Sequence, residues 1–156
     1  MDVILEIDSW IDNVLVLYSE QTQSCLQLES ALRGAYPKPF LEQCQYVIVE
    51  EIPRPNLSDP KYHDFLTMPI EGITYKNVYF IKAGSENDFG LHLHELVHAV
   101  QWKHLGSLEF ITRYLRELED QGYYDMPLEN MAYYAQDQFN KNVPMTNLPH
   151  WVINQL

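Results

Sequence analysis

The chain predicts an α+β fold, and three observations carry that expectation. Apolar residues recur at helical spacing near the start, at Ile4, Ile7, Ile11, Val14 and Tyr18. Two β-branched and aromatic runs occupy the middle, "CQYVIVEEI" at 44–52 and "GITYKNVYFIKAG" at 72–84. Helical spacing returns after residue 89 and holds for most of the remaining chain. Helix, then strands, then helices is the order of an α+β domain.

Taken in order, the stripe within residues 3–33 reads as a helix, although the opening "VILEI" also fits a strand. Gly34 and the prolines of "GAYPKPF" end it. The run 44–52 is a strand. "PRPNLSDPKYHDFLTMP", 53–69, is a long loop dense in Pro, Asn and Asp. Residues 72–84 read as a hairpin or one bent strand. "SENDFG" breaks the chain and offers Ser85 or Asp88 as a helix cap. One helix then spans about 89–104 and stops near Gly106. A second spans about 107–121, with its stripe at Leu108, Ile111, Leu115 and Leu118. Asp125 and Pro127 open a third, to about residue 140. The tail "NVPMTNLPHWVINQL" reads as extended or irregular.

A chain of 156 residues is expected to form one domain with its own core. The net charge of −12, from 22 acidic and 10 basic residues, argues against nucleic acid as a partner: phosphate binding needs clustered Lys and Arg, and no basic run is present. The acidity reads as solubility, with a preference for basic substrates as the alternative. Cys25 and Cys44 form no CxxC pair and read as small buried residues. No apolar run reaches the roughly 18 residues of a membrane span. The first residues carry acids where a signal peptide needs a basic start. A cytoplasmic protein is expected.

Residues 90–106, "GLHLHELVHAVQWKHLG", hold four of the six histidines. Within them "HELVH", 94–98, fits H-E-x-x-H. Helical residues four apart differ by about 40° around the axis and about 6 Å along it, so His94 and His98 can reach one ion. Glu95, one step round, can then act as general base on a water at that ion. Zinc lowers the pKa of such a water to about 7. The plainer reading is a helix that happens to carry two histidines. His92 lies about 200° from His94 around the axis and is expected to be a packing or solvent residue.

A catalytic zinc commonly takes three protein ligands, and two candidates compete for the third place. His104 would complete the metzincin pattern H-E-x-x-H-x-x-G-x-x-H, but Gln101 stands where that pattern has glycine. Without the glycine the helix continues, and His104 points about 240° away from His98. Glu129, in "DMPLENMAYYAQ", opens the third helix. It could serve only the helix dipole there. Yet Ala132, one turn on, is small enough to let that helix approach the HELVH helix, and Tyr133 and Gln136 continue the same polar face.

"HELVHAVQW" followed by "GYYDMPLENMAYYAQ" resembles the gluzincin-type zinc metallopeptidases, in particular the small single-domain minigluzincins, over roughly residues 70–140. The resemblance implies a zincin-like fold: an N-terminal helix, a small twisted sheet, an active-site helix and a third-ligand helix. It implies Zn²⁺ on His94, His98 and Glu129, with Glu95 as the general base. It also implies peptide or protein substrates, which could join the strand near 77–82 as an edge. In many gluzincins an Asp three residues after the ligand Glu orients a zinc histidine. Here that residue is Ala132, so Asp120, Asp125 or a backbone carbonyl would have to serve. An oxyanion donor is sought among Tyr123, Tyr124, Tyr133, Tyr134 and His150, with Tyr133 favoured for its place one turn after Glu129.

Two other classes stay open. One is a metal-binding regulatory or interaction domain with a silent or latent site. In that reading the 53–69 loop lies over the cleft, or the C-terminal "HWVINQL" lies in it and inhibits the protein. The other is a protein whose histidines bind no metal at all.

Overall fold

A computed structural model describes residues 2–156. Helix α1, Val3–Leu17, starts on Asp2, whose carboxylate accepts from the Ile4 amide; this settles "VILEI" as helix. The helical stripe does not continue to residue 33. Strand β1, Gln23–Ser24, and a 3-10 turn at Cys25–Leu28 follow instead. Helix α2, Lys38–Glu42, leads into β2, Gln45–Val49. Strands β3, Gly72–Tyr75, and β4, Val78–Lys82, form the hairpin of the two readings offered, with Lys76 at positive φ in its turn.

The sheet order is β1-β2-β4-β3. β2 and β4 run parallel; the other neighbours are antiparallel. The expectation that residues near 77–82 form an edge is therefore corrected. β4 has a partner on each side, and β3 is the outer strand. The physical reason is visible in β4 itself. Its side chains alternate between two cores, Val78 and Phe80 on one face, Tyr79 and Ile81 on the other. A strand buried on both faces reads as a continuous apolar run, and such strands sit inside sheets.

The first core joins one sheet face to helices α4, Phe89–Leu105, and α6, Pro127–Asn140. The second joins the other face to α1 and to α5, Ser107–Gln121. Asp88 caps α4 by accepting from the Leu91 amide, so Asp88 rather than Ser85 is its cap. The α6 start is held from outside. Met126 is its cap residue and gives no side-chain bond, while the buried Glu117 of α5 accepts from the Leu128 amide at 2.8 Å.

Two further expectations are corrected. The 53–69 segment carries a 3-10 turn at Pro60–Tyr62 and a short helix α3, His63–Thr67. The tail is not irregular throughout: Leu148–Gln155 is helix α7. Leu148 and Val152 enter the first core, and Trp151 stacks on Tyr134. Burial of three apolar side chains outweighs the two prolines that disguise this segment. Among the described residues no helix is long and apolar enough to cross a membrane.

Candidate metal centre

Helices α4 and α6 pack antiparallel, and the pairing can be read from their contacts. Gly90 faces Asn140, His94 faces Gln136, and Gln101 faces Leu128. A Cβ at position 90 would collide with the Asn140 side chain, and Ala132 and Ala135 of α6 are buried in the core between the two helices. Small residues let the two helices come close, as Ala132 suggested. That closeness delivers Glu129, from the first turn of α6, to the two histidines one turn apart on α4.

His94 Nε2 and His98 Nε2 lie 3.3 Å apart, and Glu129 Oε1 lies 3.2 Å from the first and 3.1 Å from the second. Zinc holds N and O ligands at about 2.0–2.1 Å, so ligands at the corners of a tetrahedron stand roughly 3.3–3.4 Å apart. The three atoms match one face of such a tetrahedron. No more than 5% of His94, Glu95, His98 or Glu129 is exposed.

The outer atoms of the ligands are also held. His94 Nδ1 pairs with Gln136 Oε1 at 2.9 Å, and His98 Nδ1 pairs with Gln101 Oε1 at 2.7 Å. Gln101 Nε2 donates to the Leu128 carbonyl at 3.0 Å, which orients the amide with its oxygen toward His98. Each Nδ1 thus donates, and each Nε2 turns inward. Tyr114 donates to Glu129 Oε2 at 2.6 Å. With neutral imidazoles, three acceptors face one another without a donor; a cation or a proton must stand between them. The residues fit a divalent metal.

The charges tell the same story. Burial alone would lower the His98 pKa, but the Glu129 carboxylate beside it wins and holds it up at about 9. Burial alone would raise the Glu129 pKa, but the His98 and His94 rings hold it well below the usual carboxylate range. Glu95 is different: burial dominates and raises its pKa. Its Oε1 accepts from Thr74 Oγ1 at 2.8 Å, and its Oε2 lies 3.9 Å from His94 Nε2. A Cβ at Gly72 would sit 3.1 Å from that Oε2, so glycine leaves room for the carboxylate under β3.

A cavity of about 110 Å³ opens beside Glu95, His94, His98 and Glu129. Its walls are largely apolar and come from α1, α5 and β3, with Leu57, Tyr62, Phe65 and Leu66 of the covering segment. The 53–69 segment therefore does lie over the centre. The tail does not: none of residues 144–156 lines this cavity, and α7 packs on the other face of α4's core. In this structure "HWVINQL" therefore does not fill the cavity: Val152 lies in the core, Trp151 stacks on Tyr134 and Ile153 is exposed.

Of the residues named from sequence, the fold brings together His94, His98, Glu129 and Glu95. His104 lies exposed on an unbroken α4, outside the cluster. Tyr133 packs its ring edge against His94 at 4.5 Å between centroids, but its hydroxyl meets Tyr123 OH at 3.0 Å, and it is Tyr123 that lines the cavity. Asp120 and Asp125 are exposed, and the two glutamines take the place expected of them. His92 is a packing residue: fully buried, it accepts from Tyr79 OH at 2.7 Å and donates to the Glu86 carbonyl at 2.9 Å. Thr74, Gln101 and Tyr114 were missed. The one available signal for Gln101 was its place one turn after His98.

No protein-family model, no curated protein and no solved structure matches this chain. The chemistry therefore rests on the chain's own residues.

The centre predicts one divalent metal per chain by elemental analysis, lost in Glu129→Ala and kept in His104→Ala. Loss in His104→Ala alone would contradict the geometry. It also predicts a pH dependence. In the metal-free protein the raised pKa of His98 contributes stability that is full below its ordinary 6.5 and is lost as pH rises through about 9. A bound metal replaces that proton. The rise in Tm on adding zinc is thus expected to grow from pH 6 to pH 8.5; an equal or shrinking rise would contradict the assignment.

Proposed function

We propose that the chain is a zinc-dependent metallopeptidase of gluzincin type that hydrolyses peptide bonds. The observation that carries this reading is the meeting of three ligand atoms at 3.1–3.3 Å with a fourth, unligated carboxylate, Glu95, placed 3.9 Å from His94 Nε2. A structural zinc site is closed by four protein ligands, whereas three ligands and a free base leave a position for water and substrate.

When bound, zinc supplies a Lewis acid that polarises a carbonyl and makes water acidic near neutral pH. Glu95 takes the proton of the attacking water and passes it to the leaving amine. Thr74 holds one Glu95 oxygen, so the other is the free acceptor, and burial raises its basicity. Tyr123 is kept protonated by burial and lines the cavity, where it can donate to an oxyanion. Tyr133 holds the Tyr123 hydroxyl and buttresses His94.

The sheet supports a peptide as substrate. β3 pairs only with β4 among the described residues, and Thr74 within it touches Glu95. A peptide added to that outer strand would run past the base.

The burial of the centre means that a peptide enters only when the 53–69 segment moves. That segment is held by few bonds. Arg54 clips its two ends together through the Phe65 and Met68 carbonyls. Lys61 and Tyr62 both reach Glu119 of α5 at 2.8 Å. α3 has no buried residue. Exposed ion pairs hold weakly, so the Lys61–Glu119 pair is the weakest of these ties, while Tyr62 is buried and Tyr75 donates to the Pro53 carbonyl at 2.7 Å.

Glu95→Gln is expected to keep its metal and lose cleavage of unfolded protein by at least about a hundredfold, the scale of general-base catalysis. Full activity in that variant would sink the peptidase reading. Glu119→Ala, which frees the covering segment, is expected to raise turnover a few-fold and to speed metal loss to a chelator. Unchanged rates in both assays would show that the segment does not limit access.

A further inference from the structure

We propose that the metal centre has a neutral outer shell, and that Gln136 is the positioning residue whose lack of charge sets how tightly the metal is held. This rests on reading the His94, His98 and Glu129 cluster as a metal centre.

Every ligand is supported by an uncharged group. Gln136 accepts from His94, Gln101 accepts from His98, and Tyr114 donates to Glu129. A carboxylate in the Gln136 position would pull harder on the His94 Nδ1 proton, make the ring more basic and strengthen its bond to a cation. An amide pulls less and leaves more positive charge at the metal. Charge balance gives a reason for the choice. The centre already buries two carboxylates, Glu129 and Glu95, which together balance one divalent cation. A third carboxylate, at the half-buried position 136, would leave the site with a net negative charge, and that is costly where little water reaches it.

The two amides are not equivalent. Gln101 also donates to the Leu128 carbonyl, so it carries part of the contact between α4 and α6. Gln136 is only half-buried, and its one side-chain bond is to His94. Charge can therefore be added at Gln136 without breaking a second bond.

The test is zinc affinity by competition with a chromogenic chelator at fixed pH, on the full chain and two variants. Gln136→Glu keeps an acceptor for His94 and is expected to bind zinc more tightly, on the order of tenfold. Gln136→Met removes the acceptor and is expected to bind about 10–100-fold more weakly. A purely structural role predicts loss in both variants. Equal or weaker binding in Gln136→Glu, with its circular dichroism unchanged, overturns the inference. If that variant does not fold, wild-type affinity in a folded Gln136→Met overturns it equally. Absence of zinc from the wild type overturns the metal centre and this inference together. Absence of peptide cleavage alongside the expected affinities sinks only the peptidase reading.

Discussion

The close antiparallel contact of α4 and α6 is the constraint on which the site depends. It places a carboxylate from one helix between two imidazoles of the other, at distances that neutral groups would not hold unaided. The contact needs small residues at the crossing, and Gly90, Ala132 and Ala135 supply them. It also needs the start of α6 to be held in place. Glu117 does this from α5 by taking the Leu128 amide, one residue before Glu129. Gln101 does it from α4 by taking the Leu128 carbonyl. The peptide unit groups of one residue are thus anchored to two different helices, and the ligand carboxylate follows directly.

That arrangement is expensive for a fold of this size. Burying an ionised group costs several kcal/mol unless it is paired. Glu129 meets the cost through His94, His98 and the Tyr114 hydroxyl. Glu95 has a single hydrogen-bond donor, Thr74, which donates to both its side chain and its backbone carbonyl, with His94 3.9 Å away. The consequence is a difference in basicity between two carboxylates in one centre: Glu129 is held far down, whereas Glu95 is pushed up. In the proposed peptidase reading, Glu129 as metal ligand must stay ionised and Glu95 as general base must be able to take a proton. The environment separates the two roles without any difference in residue type.

Much of this was legible in the sequence, and what was not has a common cause. The helices at 107–121 and 127–140 have the bounds their periodicity suggests, although Met126 rather than Asp125 is the cap residue of the second. H-E-x-x-H needs only the local geometry of one helix, and Glu129 stands out by its helix start and the small residue after it. Strand order depends on pairing between distant segments, so the edge expected near 77–82 is the inner strand β4, whose unbroken apolar run fits an interior place. α7 hides because Pro144 and Pro149 flank or enter it, and its stability comes from packing Leu148 and Val152 into a distant core. The polar partners Gln101, Gln136, Tyr114 and Thr74 are ordinary residues at ordinary places. Gln101 meets His98 within α4 itself, and Gln136 shares the polar face of Glu129, but Tyr114 and Thr74 acquire their roles only from the register of one element against another, which no local pattern encodes.

The covering segment obeys a different rule from the rest of the chain. The two cores are closed by side chains buried on α1, α4, α5 and α6, and the sheet passes between them. Residues 53–69 instead put apolar side chains over a cavity and leave their backbone to turns, a carbonyl clip from Arg54 and surface bonds to Glu119. Stability in a folded chain is uneven, and elements with few buried contacts open first. Here, among the described residues, that element covers the place where buried His and Glu side chains cluster. Phe65 packs at the same time against Tyr114, which holds the ligand Glu129, and against Tyr123, which lines the cavity. Movement of the segment therefore removes a wall from the cavity and releases the packing on a group that touches a ligand. Access and the state of the centre are joined through that one ring.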